Sequence, residues 1–249
     1  MPNEDLLKIL FGTKLELEKT LNLTENEIQK EALEYFKKNK KRIFETFIEN
    51  KTDTKRICFS AGASGAGKSE FVKTFNEKVK LNVVDTDEIR KLFPYYSGAN
   101  ADLFQRASIK TVEYLLDNCF KHNYAFILDT NLASFEVADK NIQRALKREY
   151  QIEIFFIYRN YEDCKRLTEI REKNENRKVP DSVFNQKAIG SLDTFKKLVE
   201  AYGSMPNIYL LIVDLEKNEV LADTDSMEFS NRVEFYSQEL EQYLQKRES

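Results

Sequence analysis

The octapeptide Gly62-Ala63-Ser64-Gly65-Ala66-Gly67-Lys68-Ser69 constrains the fold of this chain more than any other stretch. It matches G-x-x-x-x-G-K-[ST] at every required position. The physical demand behind that pattern is a loop whose backbone N–H groups turn inward around an anion. Glycine is needed where the backbone must approach phosphate oxygens in conformations closed to a side chain. Three of the seven glycines of the chain sit in this one loop. The apolar run Arg56-Ile57-Cys58-Phe59-Ser60 before it reads as a strand, and Glu70-Phe71-Val72-Lys73-Thr74-Phe75 after it reads as helix. A Gly/Ser turn that merely ends a strand is the plainer reading, but strand, loop and helix in that order favour a phosphate site. Cofactor contacts are therefore expected from Gly62, Ala63, Ser64, Gly65, Ala66, Gly67, Lys68 and Ser69. Lys68 would reach the β- and γ-phosphates of ATP, and the Ser69 hydroxyl would bind Mg²⁺.

From Lys55 onward short apolar runs alternate with stretches of helical length. Ile57–Phe59, Asn82–Val84, Tyr124–Leu128, Ile152–Tyr158 and Ile208–Val213 read as strands, with a short returning strand near Val220–Ala222. Strands that are apolar throughout are expected where helices cover both faces of a parallel sheet. The fold class is therefore α/β, a P-loop fold with a mostly parallel sheet and helical additions at both ends. Residues 1–54 form the expected N-terminal helical extension, 55–225 the core, and 226–249 a C-terminal helix packed on it. Within the extension, Thr24 followed by Glu27 reads as a capping box opening a helix from Thr24 to Glu49. The segment Ser226–Lys246 reads as the terminal amphipathic helix.

Three further segments carry candidate chemistry. Asp85 and Asp87 directly follow the second strand, at the end where ligands bind in open parallel sheets. Asp87 is the candidate base for an acceptor hydroxyl, and Asp85 a candidate for substrate binding or for a Mg²⁺-bound water. Acidic residues at a helix start would also occur for capping alone. Phe126-Ile127-Leu128-Asp129 ends an apolar strand in an acid, as a Mg²⁺-binding strand does, with Thr130 and Asn131 in reach of the same crevice. The basic stretch Arg159, Lys165, Arg166, Arg171, Lys173, Arg177 and Lys178 follows the fourth strand; Arg171 and Arg177 are the candidates to stabilise a moving phosphoryl group. Interspersed glutamates make a solvated helix face the competing reading.

Composition excludes several classes. A net charge of −3 offers no bulk attraction to nucleic acid or anionic lipid, although Lys37–Arg42 is a basic run. Cys58, Cys119 and Cys164 are too far apart for a C-x-x-C pair and suit a reducing compartment. No apolar segment reads as a membrane span or signal peptide, so a cytoplasmic location is expected. Asn50-Lys51-Thr52-Asp53 imitates a guanine-reading motif, but it precedes the phosphate loop rather than following a late strand. His122 has no histidine or cysteine beside it with which to hold a metal.

Together these segments resemble the zeta-toxin family of small-molecule kinases over roughly Arg56 to Asp214. The resemblance rests on the phosphate loop, Asp85-Thr86-Asp87-Glu88-Ile89-Arg90 with Leu92-Phe93-Pro94-Tyr95 behind it, Ile127-Leu128-Asp129, and Arg171-Glu172 followed by Asn176-Arg177-Lys178-Val179-Pro180. It implies transfer of the ATP γ-phosphoryl group to the 3′-hydroxyl of the amino sugar of UDP-N-acetylglucosamine. Asp87 would be the base, and Arg171 and Arg177 the phosphate-contacting arginines. The chain departs from the family at Asp129-Thr130-Asn131, where Glu-x-Thr is usual and helps hold the acceptor. The family also implies an antitoxin partner, or inhibition in cis by residues 1–54. Two other expectations stand beside it. One is a kinase of another nucleotide, an NAD-like cofactor or a nucleic-acid end; the other is a non-catalytic ATP-binding interaction protein.

Overall fold

The computed structural model describes residues 23–175 and 179–248. Six strands form one sheet: β1 (Arg56–Ala61), β2 (Asn82–Asp85), β3 (Phe126–Asp129), β4 (Gln151–Tyr158), β5 (Ile208–Asp214) and β6 (Glu219–Leu221), in the order β2-β3-β1-β4-β5-β6. All neighbours are parallel except β5 and β6. The helices are α1 (Glu25–Phe47), α2 (Lys68–Val79), α3 (Thr86–Lys91), α4 (Gln105–His122), α5 (Phe135–Leu146), α6 (Tyr161–Glu175), α7 (Asp181–Tyr202) and α8 (Met227–Glu248).

The sheet is covered on both faces, as its apolar strands require. Successive residues of a strand point to opposite sides. Phe155 of β4 packs on Phe71 and Phe75 of α2, whereas Phe156 packs on Phe195 of α7 and Tyr236 of α8. Helix α2 therefore lies on one face and α7 and α8 on the other. Strand β1 lies at the centre, with β3 on one side and β4 on the other. The chain leaves β1 for β2 on one side and later crosses from β3 to β4 on the other, which opens a crevice at the carboxyl end of β1. The phosphate loop occupies that end.

Helix α1 starts as its sequence predicts. The Thr24 side chain accepts from Glu27 N–H, and the Glu27 carboxylate accepts from Thr24 N–H at 2.8 Å. Its buried Ala32, Phe36 and Ile43 join the same core as the sheet, and Phe36 and Phe44 meet Tyr114 of α4 edge-on. The motif-like Asn50 ties the end of α1 to β2: its N–H donates to Asn82 Oδ1 at 2.8 Å and its side chain to Lys80 O at 2.8 Å. That is a structural clasp, consistent with its position before the loop.

Strand β3 begins two residues later than the apolar run suggests. Tyr124 is diverted into an isolated antiparallel bridge with Asp53, and the Ala125 carbonyl accepts from Asn82 Nδ2 at 2.8 Å. The three cysteines are buried free thiols. Among the described residues no helix is long and apolar enough to cross a membrane.

Candidate active site at the carboxyl edge of the sheet

The phosphate loop is held open by backbone geometry that only glycine tolerates. Gly62 has φ +133° and Gly65 φ +77°, in the region L side chains avoid. A Cβ on Gly62 would stand 2.3 Å from Ile157 O, and one on Gly65 would stand 2.2 Å from Cys164 O. The loop is thus pressed against β4 and α6 from below. From the side, Gly62 N–H donates to Ser191 Oγ of α7 at 2.7 Å. Gly67, in the left-handed conformation, leads into α2, whose first residues are Lys68 and Ser69. Among the described residues no side chain caps that helix start, and an uncapped helix N-terminus is a ready site for an anion.

Lys68 folds over the loop and donates to Ala63 O at 2.7 Å and Gly62 O at 3.1 Å. Burial lowers its pKa to about 8, opposed by the charges of Asp129 and Asp87, with Lys187 of α7 adding a small push in the same direction as burial. An anion in the loop would favour the charged ammonium again.

The acids are assembled by strand register. Strands β2 and β3 pair so that Asp85 lies beside Asp129 at the same level. Asp129 is buried, with Ser60 Oγ donating to Oδ1 at 2.5 Å and Ser69 Oγ donating to Oδ2 at 3.2 Å. The end of β3 is thereby locked to the end of β1, and the acid to the helix start that follows the loop. Carboxylate and hydroxyl oxygens at this spacing fit a hard divalent cation such as Mg²⁺, which takes one or two protein ligands and fills the rest with water and phosphate oxygens. Among the described residues there is no group of three acidic, histidine or cysteine side chains that would hold a metal by protein ligands alone.

Asp85 caps α3: its Oδ1 accepts from Asp87 N–H at 2.7 Å. Burial, then the nearby charges of Asp129 and Asp87, raise its pKa to about 6. The consequence for stability has a definite sign. Below about pH 4 Asp85 is protonated in both folded and unfolded chains. Between about pH 4 and 6 the unfolded chain has lost the proton that the folded one retains, so stability falls across that window and levels off above it. Asp85→Asn keeps the capping acceptor and removes the charge. It should stabilise the fold on the order of 1–2 kcal/mol at pH 7.5, with the gain vanishing at pH 4. Urea unfolding at the two pH values measures this, and an equal effect at both would contradict it.

Asp87 projects from the first turn of α3. Arg90 Nη1 donates to its Oδ1 at 2.6 Å, and Arg171 Nη2 of α6 lies 4.0 Å from its Oδ2. Lys68 senses the Asp87 charge from the loop side. The Asp87 carboxylate thus acts electrostatically on the Lys68 ammonium of the loop and stands beside the exposed Arg171 guanidinium. That arrangement can place a hydroxyl against a carboxylate while cations neutralise charge on a phosphoryl group.

The basic stretch resolves into separate roles. Lys165 is buried and paired with Asp181 at 2.6 Å and Glu169 at 3.5 Å, so it pins α6 to α7. Arg166 pairs with Asp163 on the exposed side of α6. Arg159 stands 3.7 Å from where a Cβ on Gly67 would be, and its Nε is buried without a hydrogen-bond partner. Arg177 lies outside the described residues. Asn131, half-buried, follows Asp129 by two positions. Ser60, Ser191 and Lys187 also belong to the site, yet no local motif marks them.

The comparisons with known proteins bear on the fold and the family. The structure is similar to a chain of the PezAT chromosomal toxin-antitoxin system of Streptococcus pneumoniae. The TM-score is 0.61 at 18% identity, covering 85% of this chain and 97% of that one. It is also similar to the AvrRxo1-ORF1:-ORF2 complex, with a TM-score of 0.61 at 13% identity over 80% of this chain and 71% of that one. The same complex with ATP gives a TM-score of 0.59 at 12% identity, over 93% and 75%. No curated protein matches the chain in sequence. The family model described as Zeta toxin matches residues 27–227, which takes in α1 as well as the phosphate loop and the whole sheet, and the chain belongs to the zeta toxin family.

Proposed function

We propose that the protein is a kinase that transfers the γ-phosphoryl group of ATP to a sugar hydroxyl of a nucleotide sugar, the 3′-hydroxyl of the amino sugar in UDP-N-acetylglucosamine. The observation that carries this reading is the Asp87 carboxylate acting on Lys68 of the loop and standing beside Arg171. A module that only bound ATP would not need a carboxylate held between two arginines at that point. A structural relative in complex with ATP supports the choice of nucleotide.

In this reading the loop amides from Gly62 to Ser69 and the Lys68 ammonium hold the β- and γ-phosphates. Ser69 and Asp129 would hold Mg²⁺, which supplies charge neutralisation between the phosphates. Asp87 orients the acceptor hydroxyl and accepts its proton as the oxygen attacks in line. Arg171 is half-exposed on α6 and is placed to swing from Asp87 onto the γ-phosphoryl oxygens, with Arg177 as its companion. Asp85 and Asn131 face the acceptor. Asp129 has both oxygens engaged by serines, so its contribution to the acceptor is through the metal side of the site. Relatives that are toxin-antitoxin assemblies support a small protein antitoxin as a partner. Inhibition in cis by residues 1–54 is the competing arrangement, tested by comparing growth inhibition by the full chain and by a folded deletion of residues 1–50.

Transfer of label from γ-labelled ATP to UDP-N-acetylglucosamine tests the proposal, with a panel of other nucleotides, NAD and oligonucleotides as competing acceptors. Label in the amino sugar that vanishes with Lys68→Ala supports it. Label in another acceptor, or in none while ATP is bound, removes the assigned substrate. Gly65→Ala should weaken ATP binding about tenfold or more, because its Cβ must displace the Cys164 carbonyl from a strained backbone position. Calorimetric ATP titration measures it, and unchanged affinity would show that the loop does not hold the phosphates.

A further inference from the structure

Of the cations that directly follow β4, Lys165 and Arg166 are spent on Asp181, Glu169 and Asp163. Arg159, the first residue past the strand, is different. It is half-buried, and its Nε is enclosed with no hydrogen-bond partner among the described residues. Its backbone is anchored from two directions. Tyr158 O accepts from Leu215 N–H at 3.0 Å, which ties the ends of β4 and β5 together, and Arg159 O accepts from Cys164 Sγ at 3.4 Å. The side chain reaches the phosphate loop, with Nη2 3.7 Å from where a Cβ on Gly67 would be. The Cys164 thiol lies within the fields of two cations: burial pushes it up to about 12, and Lys68 and Arg159 oppose the rise. A guanidinium nitrogen shut away from water without a partner costs folding free energy. A phosphate anion against the outer nitrogens of the fork is the partner that offsets such a cost best.

The sheet order decides which part of a nucleotide this arginine meets. Strands β2 and β3, with Asp85, Asp87 and Asp129, lie on one side of β1; β4 and β5, with Arg159 and Leu215, lie on the other. The γ-phosphoryl group that reacts belongs on the side of the acids. Lys68 serves the β- and γ-phosphates. The α-phosphate is then left toward β4, beside Gly67 and Arg159. We propose that Arg159 is a nucleotide-binding residue whose guanidinium holds the α-phosphate of ATP and keeps hold of it in ADP. The proposal rests on the loop being the ATP site and is independent of which acceptor is used. Sequence alone does not separate Arg159 from Arg166. What sets it apart is the approach of the β4 end to Gly67, made by strands β1 and β4 lying side by side.

The test titrates the wild-type full chain, Arg159→Met and Arg159→Lys with ATP, ADP and inorganic tripolyphosphate by calorimetry. Arg159→Met should weaken ATP and ADP by the same factor, about tenfold or more. Tripolyphosphate should weaken likewise, because it too places a phosphate at that position. Arg159→Lys keeps the charge and loses the fork, so it should recover part of the loss. The ligand-free unfolding midpoint of Arg159→Met should stay level or rise, since an unpartnered buried nitrogen is gone, while the rise in midpoint on adding ADP should shrink. A merely structural arginine would give the reverse, a lower ligand-free midpoint with all three affinities kept. Loss confined to ATP would move the contact to the γ-phosphate. Loss confined to the two nucleotides would move it to the nucleoside. Either result, or three unchanged affinities, overturns the proposal. A wild-type chain that binds none of the three ligands overturns it together with the proposed function. If the wild-type chain phosphorylates no acceptor while the affinities change as stated, the proposed reaction fails and the α-phosphate contact stands.

Discussion

Asp87→Asn is expected to reduce phosphoryl transfer by about 10²–10⁴-fold, the usual worth of a positioned general base, while ATP binds as before. Asparagine keeps the size of the side chain and one oxygen for Arg90 Nη1, so α3 and its contact with Gln105 should survive. What disappears is the group that accepts the hydroxyl proton. The loop amides and Lys68, which hold the phosphates in this account, are untouched. Single-turnover transfer with bound ATP reads the chemical step directly. Turnover close to wild type would remove Asp87 as the base and leave Asp85 as the candidate on the same strand end.

The second large effect lies at the opposite side of the loop and concerns stability. Asp214 at the end of β5 is fully buried, and four donors converge on it. Arg232 Nη1 donates to its Oδ2 at 2.7 Å and Tyr236 Oη to the same oxygen at 2.8 Å, while the Glu216 and Lys217 N–H groups donate to Oδ1 at 3.0 Å each. The bond to Asp214 sets Tyr236 in place, stacked on Tyr158 with ring centroids 3.7 Å apart. Asp214→Ala removes the carboxylate and leaves the buried Arg232 charge with Glu219 and Glu228 at the surface. Breaking a buried pair from one side typically costs about 3–5 kcal/mol. Denaturant unfolding should show a loss of that size, and Asp214→Asn a smaller one because hydrogen bonds remain. A loss below about 1 kcal/mol would match a surface pair instead. The same turn carries Leu215, whose Cδ1 stands 3.0 Å from where a Cβ on Gly67 would be, so ATP affinity should fall along with stability.

The parts of this site that were legible in the sequence are those whose chemistry is local. The glycine spacing from Gly62 to Gly67 announces a loop that needs positive φ, and the structure gives all three of its glycines positive φ. Asp85, Asp87 and Asp129 could be placed because each stands where a buried apolar run stops. The fold class follows from the alternation of such runs with helical segments, and the capping box at Thr24 from two residues. Contacts made across the sheet were not legible. The meeting of Ser60 with Asp129 depends on β1 lying beside β3, and that of Gly62 with Ser191 depends on where α7 returns to the loop. Nothing near Ser60, Ser191 or Lys187 in sequence announces that geometry. The basic stretch shows the limit from the other side. Composition alone cannot tell Lys165, which is spent on a buried ion pair, from Arg171, which faces Asp87. The side-by-side level of Asp85 and Asp129 is a matter of register, which strand sequences of four residues do not fix.

The most direct measurement of the central claim is phosphorus-31 NMR of the full chain incubated with ATP, Mg²⁺ and UDP-N-acetylglucosamine. Transfer to the 3′-hydroxyl gives a new phosphomonoester resonance coupled to the proton on carbon 3 of the amino sugar, growing as the ATP γ-resonance declines and absent with Asp87→Asn. Loss of the γ-resonance to inorganic phosphate alone, or a sugar phosphomonoester that persists in Asp87→Asn, would contradict it.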